Sequence, residues 1–125
     1  MGEGDVQNSK SILIVDDDRM LFEAIQGLLE EYGHAVSCCD NGLDAVKLSR
    51  EREFDMILTD YNMPGLKGDT VCRLIRHHRP DAYIVGFSIE SKQRDFINAG
   101  ANRFIYKDEL LQNLSLLHEL VQMTP

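Results

Sequence analysis

The residues Ser11-Ile-Leu-Ile-Val-Asp-Asp-Asp18 pass from a continuous apolar run to three successive acids. An apolar run that short, with no polar residue alternating through it, fits a strand buried on both faces. Directly beyond it, Leu21, Phe22, Ile25, Leu28, Leu29 and Tyr32 recur at helical spacing from Arg19 to Tyr32, with Asp18 placed to cap the start and Gly33 to stop the end. A doubly buried strand followed by an amphipathic helix is one β-α unit.

Outward from there the unit repeats. His34 to Cys39 is strand-like, and Asn41-Gly42 opens a helix expected to turn Leu43, Ala45 and Val46 inward. Phe54 to Thr59 is the third strand; Asp60 to Lys67 is a loop broken by Pro64 and Gly65, and Gly68 leads into a helix carrying Val71, Leu74 and Ile75, stopped by Pro80. Ala82 to Phe87 is the fourth strand. A short helix from about Lys92 to Ala99, ended by Gly100, precedes the fifth, Asn102 to Tyr106. Asp108 is placed to cap one last helix whose Leu110, Leu114, Leu117 and Val121 make a core stripe. Parallel strands need helical crossovers, so the expected fold is α/β, a five-stranded parallel sheet wrapped by five helices. Any ligand site belongs beyond the carboxyl ends of the strands, near the topological switch point.

Composition agrees with one soluble domain. A chain of 125 residues, 43% hydrophobic and 27% charged, hides roughly two-thirds of its unfolded surface in a single core. Met1 to Lys10 is polar and unlike a signal peptide, and reads as a flexible tail ahead of a domain over residues 11–125. No apolar run approaches the roughly 20 residues of a spanning helix. Thirteen Lys and Arg against twenty-one Asp and Glu leave a net charge of −8, whose field repels phosphate backbones and anionic lipid. Neither direct nucleic-acid contact nor a membrane role is expected. Cys38, Cys39 and Cys72 lack a Cys-x-x-Cys spacing and read as reduced thiols of a cytoplasmic protein. His34, His77, His78 and His118 are scattered, and surface or helix-end roles are expected for them rather than metal binding.

Chemistry is expected where the strands end. Asp16, Asp17 and Asp18 follow the first strand, Asp60 the third, Ser88 the fourth and Lys107 the fifth. Capping accounts for Asp18 but not for Asp16, Asp17 and Asp60 at one rim. Two carboxylates about 4 Å apart repel by about 4 kcal/mol at an effective dielectric of 20, so a positive charge belongs among them, either Lys107 or a bound cation. Ligands that are all oxygen select a hard ion; Mg2+ fits best, because it takes one or two carboxylates and leaves room for phosphate oxygens. A carboxylate beside such an ion is a nucleophile for phosphoryl transfer. On this reading Asp60 accepts the phosphoryl group, Lys107 neutralises it and Ser88 donates a hydroxyl to it. A single acid at a strand end is ordinarily a turn or cap residue; the convergence of four segments carries the inference.

Ile12-Leu-Ile-Val-Asp-Asp-Asp18, together with Leu58-Thr-Asp-Tyr-Asn-Met-Pro-Gly65 and the following Gly68, resembles the receiver domain of two-component response regulators, a flavodoxin-like doubly wound (βα)5 fold. The likeness runs from Ser11 to about Met123. It implies phosphorylation of Asp60 by a sensor histidine kinase or phosphotransfer protein. It also implies Mg2+ held by Asp17, Asp60 and the carbonyl of Asn62, with Asp16 acting mostly through water. Ser88 matches the switch hydroxyl, Phe104 the switch aromatic and Lys107 the phosphoryl-contacting lysine. Phosphorylation is then expected to draw Ser88 inward, bury Phe104 and reshape the face of the fourth helix, fifth strand and last helix, which a downstream protein or effector domain reads. The implied activity is a signalling switch that acts as an enzyme only on itself.

Two positions depart from the family pattern. Asp108 follows Lys107 where proline is usual, so a cis peptide is not expected there. Ile89 is bulkier than usual and narrows the approach to Asp60, whereas Asn62 and Glu90 stand where dephosphorylation is tuned. Leu111, Leu116 and Leu120 widen the last helical stripe, which suits core packing, a homodimer surface or a partner surface. Three rival readings are weaker. A phosphate-independent adaptor has only Asp108 and Ile89 for support; an aspartyl phosphohydrolase would want a second acid at Asn62; and a flavin nucleotide would be repelled by the three acids.

Overall fold

The computed structural model describes residues 9–125. The sheet comprises β1 (Ser11–Val15), β2 (Ala35–Cys39), β3 (Met56–Asp60), β4 (Ile84–Ser88) and β5 (Arg103–Tyr106). All neighbouring strands are parallel, in the order β2-β1-β3-β4-β5. Between and after them run α1 (Arg19–Glu31), α2 (Gly42–Glu51), α3 (Gly68–His78), α4 (Gln93–Asn98), α5 (Lys107–Gln112) and α6 (Ser115–Gln122). Successive strand residues point to opposite faces, and the core divides accordingly. Ile12, Ile14, Leu58 and Phe87 pack under α1, α5 and α6, whereas Leu13, Val15, Ile57 and Ile84 pack under α2, α3 and α4. That is why β1, β3 and β4 read as unbroken apolar runs. No helix among the described residues is long and apolar enough to cross a membrane.

The chain leaves β1 toward β2 on one side and returns to β3 on the other, so the switch point is the crevice between the carboxyl ends of β1 and β3. Asp16 stands just beyond one strand and Asp60 ends the other. β1 has its expected bounds, and β2 and β5 start one residue late, but β3 and β4 start two residues and end one residue later than expected, which places Asp60 and Ser88 inside the strands rather than in the loops. Both are therefore held by strand backbone. Asp18 caps α1, accepting from the Leu21 N–H, and Gly33 follows that helix at φ 93°, a conformation that side chains rarely adopt.

Some details differ from the sequence expectation. The last helix is two helices, interrupted at Asn113, and it begins at Lys107, with Tyr106 at its N-cap. Asp108 is thus an exposed first-turn residue and not a cap, placed where a negative charge complements the helix dipole. Leu43 is exposed, because α2 turns Gly42 toward α3, so close that a β-carbon there would run into Val71. On α3 the third buried apolar position is Cys72 rather than Leu74, which is partly exposed. Leu120 lies in the core and is not part of a surface stripe, whereas Leu111 is exposed. Ser9 and Lys10, at the end of the expected tail, are already bonded: Ser9 Oγ donates to the Gly33 carbonyl, and the Lys10 N–H donates to His34 Nδ1. Residues 1–8 of that tail lie outside the described residues.

Candidate functional site

Three of the strand-end groups meet in the β1/β3 crevice. Lys107, the first residue of α5, sends Nζ to 3.2 Å from Asp16 Oδ2 and 3.2 Å from Asp60 Oδ1. The same Nζ stands over the Phe87 ring, 5.0 Å from its centroid, so the ammonium meets an aromatic face as well as the two acids. Asp16 is fully buried and Asp60 nearly so. Asp16 Oδ1 accepts from the Asp18 N–H at 2.9 Å, which fixes the start of the acidic loop. Asp60 Oδ1 accepts from the Tyr61 N–H at 2.8 Å and also faces Lys107.

One lysine does not complete the neutralisation. Asp16 Oδ2 lies at ion-pair distance from Lys107, but it is buried without a hydrogen bond. Burial pushes the Asp16 carboxyl up to about 6, and the Asp60 charge adds to that rise against the Asp18 N–H and Lys107. Burial raises Asp60 as well, opposed by Lys107 and the Tyr61 N–H. For Lys107, burial pulls its pKa down, but the two carboxylates outweigh it and the net shift is upward. Such a pocket holds more negative charge than it can satisfy. Asp16, Asp17 and Asp60 each offer a carboxylate oxygen, all within 4.8 Å of one another, with Asp17 exposed at the mouth. The orphaned Asp16 oxygen and an all-oxygen donor set fit a hard divalent cation.

The surrounding residues hold this geometry. Gly68 opens α3 directly against the Asp60 main chain: a β-carbon there would collide with the Asp60 carbonyl oxygen, and the Gly68 N–H donates to the Tyr61 carbonyl at 2.8 Å. In the sequence Gly68 is only a glycine at a helix start, and nothing local marks it as the seat of the Asp60 loop. Ser88 is buried at the end of β4, its Oγ accepting from the Glu90 N–H at 3.1 Å. Asn62 Nδ2 donates to Glu90 Oε1 at 3.0 Å, so the two tuning positions are joined across the rim. Ile89 is 68% exposed. Its side chain projects into solvent rather than into the crevice wall. Phe104 is half-buried on β5, edge-on to Tyr106 at 5.0 Å and tilted against Phe96 at 5.9 Å. Phe96, which no local sequence pattern marks, is fully buried and also meets Tyr61, next to Asp60, at 6.0 Å. The peptide bond between Lys107 and Asp108 is trans, like the others described.

An acidic, lysine-bridged pocket at the switch point of a doubly wound parallel sheet defines a class of α/β protein suited to a hard cation and an incoming oxyanion. The sequence profile of the response regulator receiver domain matches residues 12–119, and the chain belongs to that family. Receiver domains of this family are the phosphorylation-dependent switches of two-component signalling. The signal transduction histidine-protein kinase BarA of Shigella flexneri is 30% identical over 87% of this chain and 13% of BarA. The transcriptional regulatory protein ResD of Bacillus subtilis is 31% identical over 82% of this chain and 44% of ResD. The chain therefore spans less than half the length of either. Among solved structures, the response regulator TrrA of Thermotoga maritima, in complex with Mg2+ and BeF, superposes with a TM-score of 0.74 at 30% identity, covering 86% of this chain and 98% of TrrA. The receiver domain of a Pseudomonas aeruginosa sensor histidine kinase shares the fold with a TM-score of 0.81 at 24% identity, over 91% and 95% of the two chains.

Proposed function

We propose that Asp60 accepts a phosphoryl group from a phosphohistidine of a sensor histidine kinase or phosphotransfer protein. The observation that carries this is the position of Asp60, at the end of β3, sharing Lys107 with the buried Asp16. Oδ1 of Asp60 takes both donors, from Tyr61 and Lys107, which leaves Oδ2 as the nucleophile. In the transfer the phosphorus–nitrogen bond of the donor breaks, the bond from Asp60 oxygen to phosphorus forms, and the electron pair leaves with the imidazole. Asp17, Asp60 and the Asn62 carbonyl would hold Mg2+, with Asp16 acting through water; the ion supplies charge neutralisation for the phosphoryl oxygens. Lys107 contacts the new phosphoryl group in place of the Asp60 carboxylate. Ser88 exchanges its Glu90 N–H contact for donation to a phosphoryl oxygen.

The downstream consequence runs through Phe104. Its half-buried ring moves inward as Ser88 is drawn to the phosphoryl group, and the face of α4, β5 and the terminal helices α5 and α6 then presents a different surface to a downstream protein or effector domain. Ile97 and Tyr106 are the exposed apolar groups on that face, and Leu111 adds an apolar position from α5 that suits a homodimer. Hydrolysis of the aspartyl phosphate resets the switch, with the Asn62–Glu90 pair at the rim setting access for water while the solvent-facing Ile89 leaves the approach open; the chain catalyses nothing beyond its own phosphorylation and dephosphorylation. The protein acts in the cytoplasm, with residues 11–125 as the receiver domain behind a short N-terminal tail. With a net charge of −8 it makes no direct nucleic-acid or membrane contact.

The test is incubation with Mg2+ and a small-molecule phosphodonor, followed by intact mass measurement. One phosphoryl adduct is expected on the wild type and none on Asp60→Asn. A folded wild-type protein that gains no Asp60-dependent adduct would overturn the assignment.

A further inference from the structure

At the amino edge of the sheet, away from the acidic pocket, two histidines form a directed hydrogen-bond chain. His34, directly before β2, is buried at 4% exposure. Its Nδ1 accepts from the Lys10 backbone N–H at 3.0 Å, and its Nε2 lies 3.2 Å from His118 Nδ1 on α6. A backbone N–H only donates, so His34 Nδ1 carries no proton and the ring proton sits on Nε2. His118 Nδ1 must then accept, which leaves its own proton on Nε2. Every link runs in one direction, and both rings are neutral.

We propose that this pair is a proton-operated clasp that fastens α6 to the lead-ins of β1 and β2 at neutral pH and releases it on acidification. A proton added to His118 Nδ1 would face the Nε2–H of His34. Moving the His34 proton to Nδ1 to relieve that contact would set it against the Lys10 N–H. No tautomer accommodates an extra proton, so a hydrogen bond must break. Among the described residues, the charged groups around the pair do not offset this. Lys10, ahead of β1, opposes a charge on His34, while Asp55, ahead of β3, favours it but is engaged by the Ser11 N–H. Tyr32, at the end of α1, stacks on His118 with centroids 3.7 Å apart and planes 5° apart, holding that ring in place from the other side. Burial, then His118 and Lys10, keep the His34 pKa below its ordinary value. The proposal does not depend on phosphorylation.

Amide exchange of α6, corrected for the intrinsic effect of pH, tests the clasp in the full chain with Mg2+ present. Protection is expected to fall between pH 7.5 and pH 5.5, because burial keeps folded His34 neutral where a free imidazole already takes up a proton. His34→Asn should show lower protection at neutral pH that no longer responds to acid. His118→Asn keeps an acceptor oxygen where Nδ1 stood and should retain neutral-pH protection with a smaller acid response. Ring nitrogen NMR at pH 7.5 should report the Nε2–H form of both residues. Protection of α6 in the wild type that does not change with pH, an acid response in His34→Asn equal to that of the wild type, or an Nδ1–H form of His34 would overturn the proposal.

Discussion

The two edges of the sheet bury ionisable groups in opposite ways. At the carboxyl edge, Asp16 and Asp60 share one lysine, and a buried Asp16 oxygen is left without a hydrogen bond. At the amino edge, His34 has both ring nitrogens engaged and carries no charge. A buried polar group costs little when every lone pair and proton is matched, and much when one is not. The matched His34 cluster holds the fold together, whereas the Asp16 pocket retains unsatisfied charge that a ligand can relieve. The contrast separates a structural polar cluster from a binding site without reference to residue type.

Removing Lys107 should disturb the carboxyl edge most. Lys107→Met leaves two buried carboxylates facing each other, and truncating one partner of a buried ion network costs about 3–5 kcal/mol. Urea unfolding should show that loss without added metal and recover much of it with Mg2+. If metal-free Lys107→Met is as stable as the wild type, the pocket is not the strained edge.

Gly68→Ala tests whether backbone, rather than charge, seats Asp60. Its β-carbon meets main-chain atoms that cannot rotate away, so a loss of about 3 kcal/mol is expected, together with slower phosphate incorporation by mass spectrometry. Wild-type values in both would show that α3 yields easily.

A smaller effect is the pH response of the metal-free protein. Folded Asp16 holds its proton up to about pH 6, while the unfolded side chain releases it near 3.8. Between those values the folded state binds more protons, so stability contributed by Asp16 is present at low pH and lost as pH rises through about 6, on the order of 2 kcal/mol. Saturating Mg2+ should remove that loss. The histidine clasp has the opposite sign, since its contribution is present above about pH 6.5 and lost as pH falls. Denaturant midpoints across pH 4 to 8, in wild type and in Asp16→Asn, separate the two trends.

Much of the carboxyl edge was legible in the sequence. Asp16, Asp17, Asp60, Ser88 and Lys107 each directly follow or end an apolar run, and in a parallel sheet all such ends face the same way. The amino edge was not legible, because His34 and His118 are 84 residues apart and neither lies in a local pattern that marks it. The break at Asn113 was hidden for a different reason. Leu110, Leu114, Leu117 and Val121 keep helical spacing across it, so the apolar stripe looks continuous although the backbone is not. Leu43 misled because inward rotation of α2 is set by how closely Gly42 approaches Val71, and that contact joins two helices.

The sequence by itself determined the alternation of strands and helices, the parallel sheet and the rim that carries the acids, since each follows from local periodicity and chain direction. Only the tertiary structure decided how charge is shared at that rim. It showed that Lys107 serves Asp16 and Asp60 together, that an oxygen of Asp16 is orphaned, and that Gly68 seats the Asp60 loop. Those facts rest on distances of a few ångströms between residues far apart in the chain, and local sequence does not encode such distances.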